Sequence, residues 1–311
     1  MTVGEHRNAK PAAMGVGDIQ AKLTLVLLCL IWGVTWPAMK IALEQMPPLS
    51  MRAMTSGIGA LTLLAVCLVK RRSFRLPTAR TWAHVVIASL LNVASFSLLS
   101  AFAQNATATS RVAVLTYTMP IWTVLLAWLI LGERPTRAQG LALVLCALGL
   151  AVLIRPLAAT GIPLGVVLAV ASGVSWAAGT VYLKWARIEA DPLGVTSWQL
   201  TIAFIIIATC LLAIEGGPHL AAAHADGLLA AAFVGIAGVG IAYAMWFDIV
   251  RRLPAATASL GILAIPVIGV VSSILILGER PTGADIIGFA LIFAASACVL
   301  LSRQAPGRVS G

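Results

Sequence analysis

The sequence predicts an all-α membrane protein of ten transmembrane helices, built from two copies of a five-helix unit that are inverted relative to each other. Three observations carry this expectation. Of the 311 residues, 60% are hydrophobic and 10% charged, and the mean hydropathy of +0.99 lies outside the range of soluble domains. The octapeptide Leu-Ile-Leu-Gly-Glu-Arg-Pro-Thr occurs at 129–136 and again at 275–282. The basic residues collect on alternate connecting segments, as they do in multi-pass membrane proteins.

A helix needs roughly 20 apolar residues to cross a bilayer. In chain order, the stretches that meet this need are 23–43, 49–69, 82–102, 109–131, 137–154, 162–183, 195–214, 227–249, 255–277 and 283–301. The two octapeptides are 146 residues apart, and the same offset carries Pro120 onto Pro266 without a gap. The first unit then covers residues 23–155 and the second 162–301, with Gly161 and Pro163 at the join. An odd number of spans per unit inserts the second copy upside down, and inverted repeats are the architecture of alternating-access transporters.

The charge pattern sets the orientation. With the N-terminus inside, 16 of the 21 Lys and Arg residues fall on inner segments, including the run Lys70, Arg71, Arg72, Arg75 and Arg80. The remaining five are Lys40, Arg52, Arg111, Arg155 and Arg280. Residues 1–22 and 302–311 are therefore expected to be cytoplasmic tails. Residues 1–22 have the features of neither a cleavable signal nor a transit peptide. The net charge of +10 reads as a topology signal beside anionic lipid, not as a nucleic-acid footprint. The inverted repeat also explains the outer Arg280, which is the carried-over copy of the inner Arg134.

At an offset of 144 the first spans of the two halves also match, pairing Trp32 with Trp176 and Lys40 with Lys184. Residues 32, 36 and 40 share one helix face. Span one carries Trp32, Gly33 and Lys40, and span two an early arginine, Arg52. Each half closes on a mid-span proline followed by Leu-Gly-Glu: Pro120 with Gly132–Glu133, and Pro266 with Gly278–Glu279. In these features the chain resembles the EamA domain of the drug/metabolite transporter superfamily over about residues 20–302. The second half departs from the pattern, with Ala177 in place of Gly33 and no arginine to match Arg52. The resemblance implies a ten-helix carrier of small metabolites, often an exporter of amino acids, in the bacterial inner membrane.

The candidate substrate residues follow from depth and chemistry. Pro120 and Pro266 deprive the carbonyls of Thr116 and Ile262 of their helical donors, and in lipid such carbonyls need a protein or water partner. These two backbone acceptors could receive an ammonium group in a polar cavity; the alternative is a packed kink. Trp32, Trp176, Tyr117 and Tyr243 lie deep, Trp36 and Trp246 somewhat less so, and each has a polar tip that needs a partner when buried. Asn92 and Ser95 in span three are further cavity candidates, although small polar residues also join helices together. Lys40 and Lys184 are placed either to snorkel to their interfaces or to gate opposite mouths. Glu133 and Glu279 read as turn chemistry, and Asp248 as an interfacial partner of Arg251.

No catalytic or metal-binding motif is present in the sequence, and no cofactor is expected. Cys29, Cys67, Cys146, Cys210 and Cys298 all sit in spans without ligand spacing and read as packing residues. The expected partners are a small-molecule substrate and the bilayer. A monomer is compatible with the sequence, which leaves the oligomeric state open. The leading reading is a secondary exporter of amphipathic metabolites, including aromatic or apolar amino acids. The alternatives are a proton-coupled drug or cation antiporter and a non-transporting receptor or assembly subunit.

Overall fold

The computed structural model describes residues 16–155, 164–220, 223–252 and 264–301. Among them the regular elements are all helical. Six helices fill the first half among the described residues: α1 (Val16–Leu43), α2 (Pro48–Val69), α3 (Ala79–Ala106), α4 (Thr109–Thr116), α5 (Met119–Leu131) and α6 (Arg137–Ile154). The second half holds α7 (Leu164–Ala186), α8 (Pro192–Ile214), α9 (Ala225–Trp246), α10 (Ala264–Leu277) and α11 (Gly283–Leu301). Eight stretches are long and apolar enough to cross a membrane, with α4 and α5 together forming one of them. Two shorter apolar helices, Ala264–Leu277 and Gly283–Cys298, follow.

The halves interlock instead of packing as separate bodies. The first helix of each half packs on the fourth span of the other: α1 on α10, and α7 on α4 and α5. The second helix of each half packs on the third span of the other: α2 on α9, and α8 on α3. The last helices, α6 and α11, pack on each other. There Gly149 and Gly288 face one another, and a Cβ on either would come within about 3.3 Å of the opposite carbonyl oxygen. Backbones can approach this closely only where side chains are absent.

The repeated octapeptide folds the same way twice. Gly132 and Gly278 end their helices in the left-handed region, at φ 71° and 67°. The following N–H returns to a carbonyl six residues back, Glu133 to Ala127 and Glu279 to Ser273. This is the geometry of a glycine-terminated helix. Thr136 with Gln139, and Thr282 with Asp285, then form reciprocal caps for α6 and α11.

Two features were not expected from the sequence. The fourth span is broken: α4 ends at Thr116 and α5 starts at Met119. Pro120 therefore occupies the first turn of α5, where its missing N–H costs nothing. The break is held independently of the proline, because the Thr118 hydroxyl donates to the Leu115 carbonyl (2.7 Å) and Ser296 donates to the Tyr117 carbonyl (3.2 Å). Replacing Pro120 would not by itself straighten this helix.

The second feature is a π-helical segment inside each third span, Leu90–Ser95 in α3 and Val234–Ile241 in α9. The two segments begin 144 residues apart, so the widened turn belongs to the repeat. A π turn breaks the regular hydrogen-bond ladder, and in lipid the carbonyls it frees must find donors. Ser175 donates to the Leu91 carbonyl (2.6 Å), and Trp32 Nε1 donates to the Gly238 carbonyl (2.9 Å). Each donor comes from the first helix of the other half.

Candidate functional site

A cavity of about 140 Å³ lies between the halves. Its walls come from α1, α2, α3, α4, α5, α7 and α9, so each half contributes. Two aromatic pairs, each joining one half to the other, line it. Trp32 of α1 meets Tyr243 of α9 edge-on at 6.3 Å, and Trp176 of α7 meets Phe96 of α3 edge-on at 4.9 Å. The edge-to-face arrangement suits ring quadrupoles. The π segments position these rings. The Gly238 carbonyl fixes the Trp32 indole, and Phe96 immediately follows the π segment of α3. Trp36 is buried at 6% exposure and fits beside Gly269, where a Cβ would lie 3.2 Å from the indole Cδ1.

Of the residues expected at a cavity, the structure brings together Trp32, Trp36, Thr116, Tyr117, Trp176 and Tyr243. The others lie off this wall. Asn92 is buried at 8% and turned against Gly179 of α7, where a Cβ would lie 2.9 Å from the Asn92 backbone nitrogen. Trp246 lies against Trp32, its ring tilted by 46° at 6.1 Å. Ser95 sits at the end of its π segment, Pro120 in the first turn of α5, and Pro266 is buried near the start of α10. The Thr116 carbonyl faces α7, where Gly173 leaves room for it: a Cβ there would lie 2.8 Å from the oxygen. Ile262 falls outside the described residues, as does the side chain of Arg251.

The two lysines stand at opposite ends and both are engaged. Lys40 reaches Glu44 (3.8 Å) and the Gln104 carbonyl (3.5 Å), while Lys184 pairs with Glu133 of the first octapeptide. Glu279 does more than shape a turn. It accepts from the backbone N–H groups of Thr109 (2.6 Å) and Ser110 (2.9 Å), capping α4. A carboxylate suits the positive end of a helix. Beside it, Arg111 Nε and Nη2 donate to Asp285 Oδ1 at 2.9 and 2.7 Å. At the same end Glu215 caps α2 through Leu49 and Ser50. One end of the bundle is thus tied across the halves by carboxylates.

The sequence reading missed seven wall residues as site candidates: Thr35, Met39, Arg52, Phe96, Ser100, Met119 and Gly238. Arg52 had drawn notice only as a motif position. It is the only charged side chain among the described residues of the wall.

The family model of EamA-like transporters matches residues 20–155 and, a second time, 163–301. The chain belongs to the EamA-like transporter family. The two matches coincide closely with the two repeats, and membership makes this all-helical chain an integral membrane transporter of the drug/metabolite transporter superfamily. Relatives of this EamA-like protein align along nearly its full length. The uncharacterized transporter YvbV of Bacillus subtilis (strain 168) is 29% identical over 91% of this chain and 92% of its own. The uncharacterized inner membrane transporter YedA of Escherichia coli (strain K12) is 25% identical over 90% of each. A Salmonella typhimurium protein named a probable amino-acid metabolite efflux pump is 23% identical, over 86% of this chain and 91% of its own. A solved crystal structure has the same fold, with a TM-score of 0.63 at 24% identity, covering 92% of this chain and 99% of that one.

Proposed function

We propose that this protein is a secondary carrier of the bacterial inner membrane that exports small amphipathic metabolites, aromatic and apolar amino acids among them. The observation that carries the reading is the aromatic cavity shared by two interlocked repeats. Inverted repeats that enclose a midplane site transport by rocking around it. A volume of about 140 Å³ is below the roughly 300–1,000 Å³ of sites for drug-sized ligands, which favours a metabolite over a bulky drug. The relative named an amino-acid metabolite efflux pump supports the amino-acid assignment. In this reading the two short helices α10 and α11 complete a set of ten spans, and residues 1–22 and 302–311 are cytoplasmic. Thiol labelling of Ser73→Cys from inside and Ala223→Cys from outside checks that orientation; the reverse pattern would overturn it.

The alternative of a drug or cation antiporter is disfavoured by one observation. Among the described residues the cavity wall carries an arginine and no carboxylate, a field that repels cations. The direct test is the purified protein in liposomes with a panel of radiolabelled amino acids. Counterflow of phenylalanine, tyrosine, tryptophan or leucine, above empty liposomes, is the expected result. Flux of organic cations with none of amino acids would reject the proposal.

A further inference from the structure

Arg52 lies in the fifth position of α2 and is buried at 6% exposure. Its Nη2 donates to Ser100 Oγ at 2.7 Å. Ser100 in turn donates to the Ser97 carbonyl (3.1 Å), which directs the lone pairs of its hydroxyl towards the guanidinium. No carboxylate pairs with Arg52 among the described residues, and its Nε has no hydrogen-bond partner. An arginine stays charged, and a buried charge without a counter-ion is destabilising. One neutral hydroxyl satisfies one of five N–H groups.

The chain contains its own comparison. Arg111, in α4 at the tied end of the bundle, uses Nε and Nη2 together on the carboxylate of Asp285. Arg52 has Nη2 anchored and the adjacent Nε without an acceptor, beside a cavity instead of an aspartate. The rest of the wall is uncharged and mostly apolar or aromatic, with Trp36, Met39 and Phe96 among its residues. The second half carries no copy of it: Pro192–Thr196, the match to Pro48–Arg52, has no arginine.

We infer that Arg52 is the anion anchor of the cavity and holds the carboxylate of the transported molecule while the aromatic pairs hold its apolar body. The inference rests on the proposed carrier function and sharpens it. The substrate must carry a carboxylate, as a zwitterion or a monoanion, and the corresponding amine is excluded. Arginine suits this role because its planar fork matches a carboxylate with two parallel hydrogen bonds. A lysine would supply charge without the fork.

The test uses matched compounds on the full-length protein: phenylalanine, 3-phenylpropionate (no ammonium) and phenethylamine (no carboxylate), with the leucine series alongside. Binding is read from the quenching of tryptophan fluorescence, since Trp32, Trp36 and Trp176 line the cavity, and transport from counterflow in liposomes. The wild type is expected to bind both carboxylates and to reject the amine by at least about tenfold, the order of loss when one partner of a buried charge pair is removed. Arg52→Gln should weaken carboxylate binding by at least about tenfold and erase the preference. Arg52→Lys should recover part of it. If Arg52→Gln does not purify as a monodisperse species, the wild-type preference and Arg52→Lys still decide. A wild type that moves amino acids and amines equally overturns the anchor and leaves the carrier function standing. So does an Arg52→Gln protein that keeps the wild-type preference. A wild type that moves no carboxylate compound overturns both.

Discussion

Gly179→Thr is expected to lower the thermal midpoint of the purified protein, and Asn92→Gly introduced into the same chain should restore much of the loss. Gly179 of α7 abuts the π segment of α3. A Cβ there would overlap the Asn92 carboxamide and come within 2.9 Å of the Asn92 backbone nitrogen. Backbone cannot yield as a flexible side-chain tip does, so α7 must move outward. Overpacking of this kind costs about 1–3 kcal/mol. The rescue is drawn from the other half of the molecule. There Thr35 of α1, 144 residues before Gly179, meets Gly238, which lies 146 residues after Asn92; a Cβ on Gly238 would stand 2.8 Å from the Thr35 hydroxyl oxygen. The two contacts are the same contact with the large and small partners exchanged. Placing Thr on α7 and Gly on the π segment therefore reproduces an arrangement the fold already accepts. Additive losses in the double variant, measured by thermal unfolding in detergent, would contradict the equivalence of the two interfaces. A coupling of about 0.5–3 kcal/mol is the usual size for side chains in contact.

Asp285→Ala is expected to have the larger effect. Asp285 binds Arg111 through Oδ1, while its Oδ2 accepts from Thr282 N (3.0 Å) and Oγ1 (2.8 Å) at the start of α11. The side chains of the pair are only 17% and 8% exposed, respectively, for Arg111 and Asp285. Removing one member leaves a nearly buried charge unpaired, which costs about 3–5 kcal/mol, and also removes a helix cap. Arg111 belongs to α4 and Asp285 to α11, so the loss falls on a tie between the two halves. The double variant Arg111→Gln with Asp285→Ala should be less destabilised than Asp285→Ala alone, because no bare guanidinium remains. A double variant no more stable than Asp285→Ala would show that the pair is not what holds this end. The position equivalent to Asp285 in the first half is Gln139, which caps α6 without a charge. The Arg111–Asp285 tie thus has no copy at the equivalent position of the first half.

The sequence revealed depth well and azimuth poorly. The helix at 137–154 coincides with its expected span, and the octapeptides, prolines and paired tryptophans disclosed the repeat because they are literal identities. Trp32, Tyr117, Trp176 and Tyr243 were recognisable as cavity residues because deep, polar-tipped aromatics need partners. Arg52 was not recognised as one of them, since five residues into a span an arginine can equally snorkel to the interface. Only the structure shows it turned inward and bonded to Ser100. The π segments leave no mark in runs such as Leu-Leu-Asn-Val-Ala-Ser and Val-Gly-Ile-Ala-Gly-Val-Gly-Ile, because apolar residues accept either turn; their signature is the carbonyl they free and the donor that meets it. Asn92 illustrates the same limit. Its depth suggested a substrate contact, whereas its environment is set by Gly179 on a helix 87 residues away.

The central claim is that one cavity between the repeats is reached from each side of the membrane in turn. Met119, in the wall at the start of α5, provides the most direct probe. In a chain whose five cysteines are replaced, Met119→Cys is treated with a membrane-impermeant thiol reagent in right-side-out and in inside-out vesicles. The account predicts reaction from both sides, slowed from both sides by a transported amino acid. Reaction from one side only, or reaction that substrate does not slow, would contradict it.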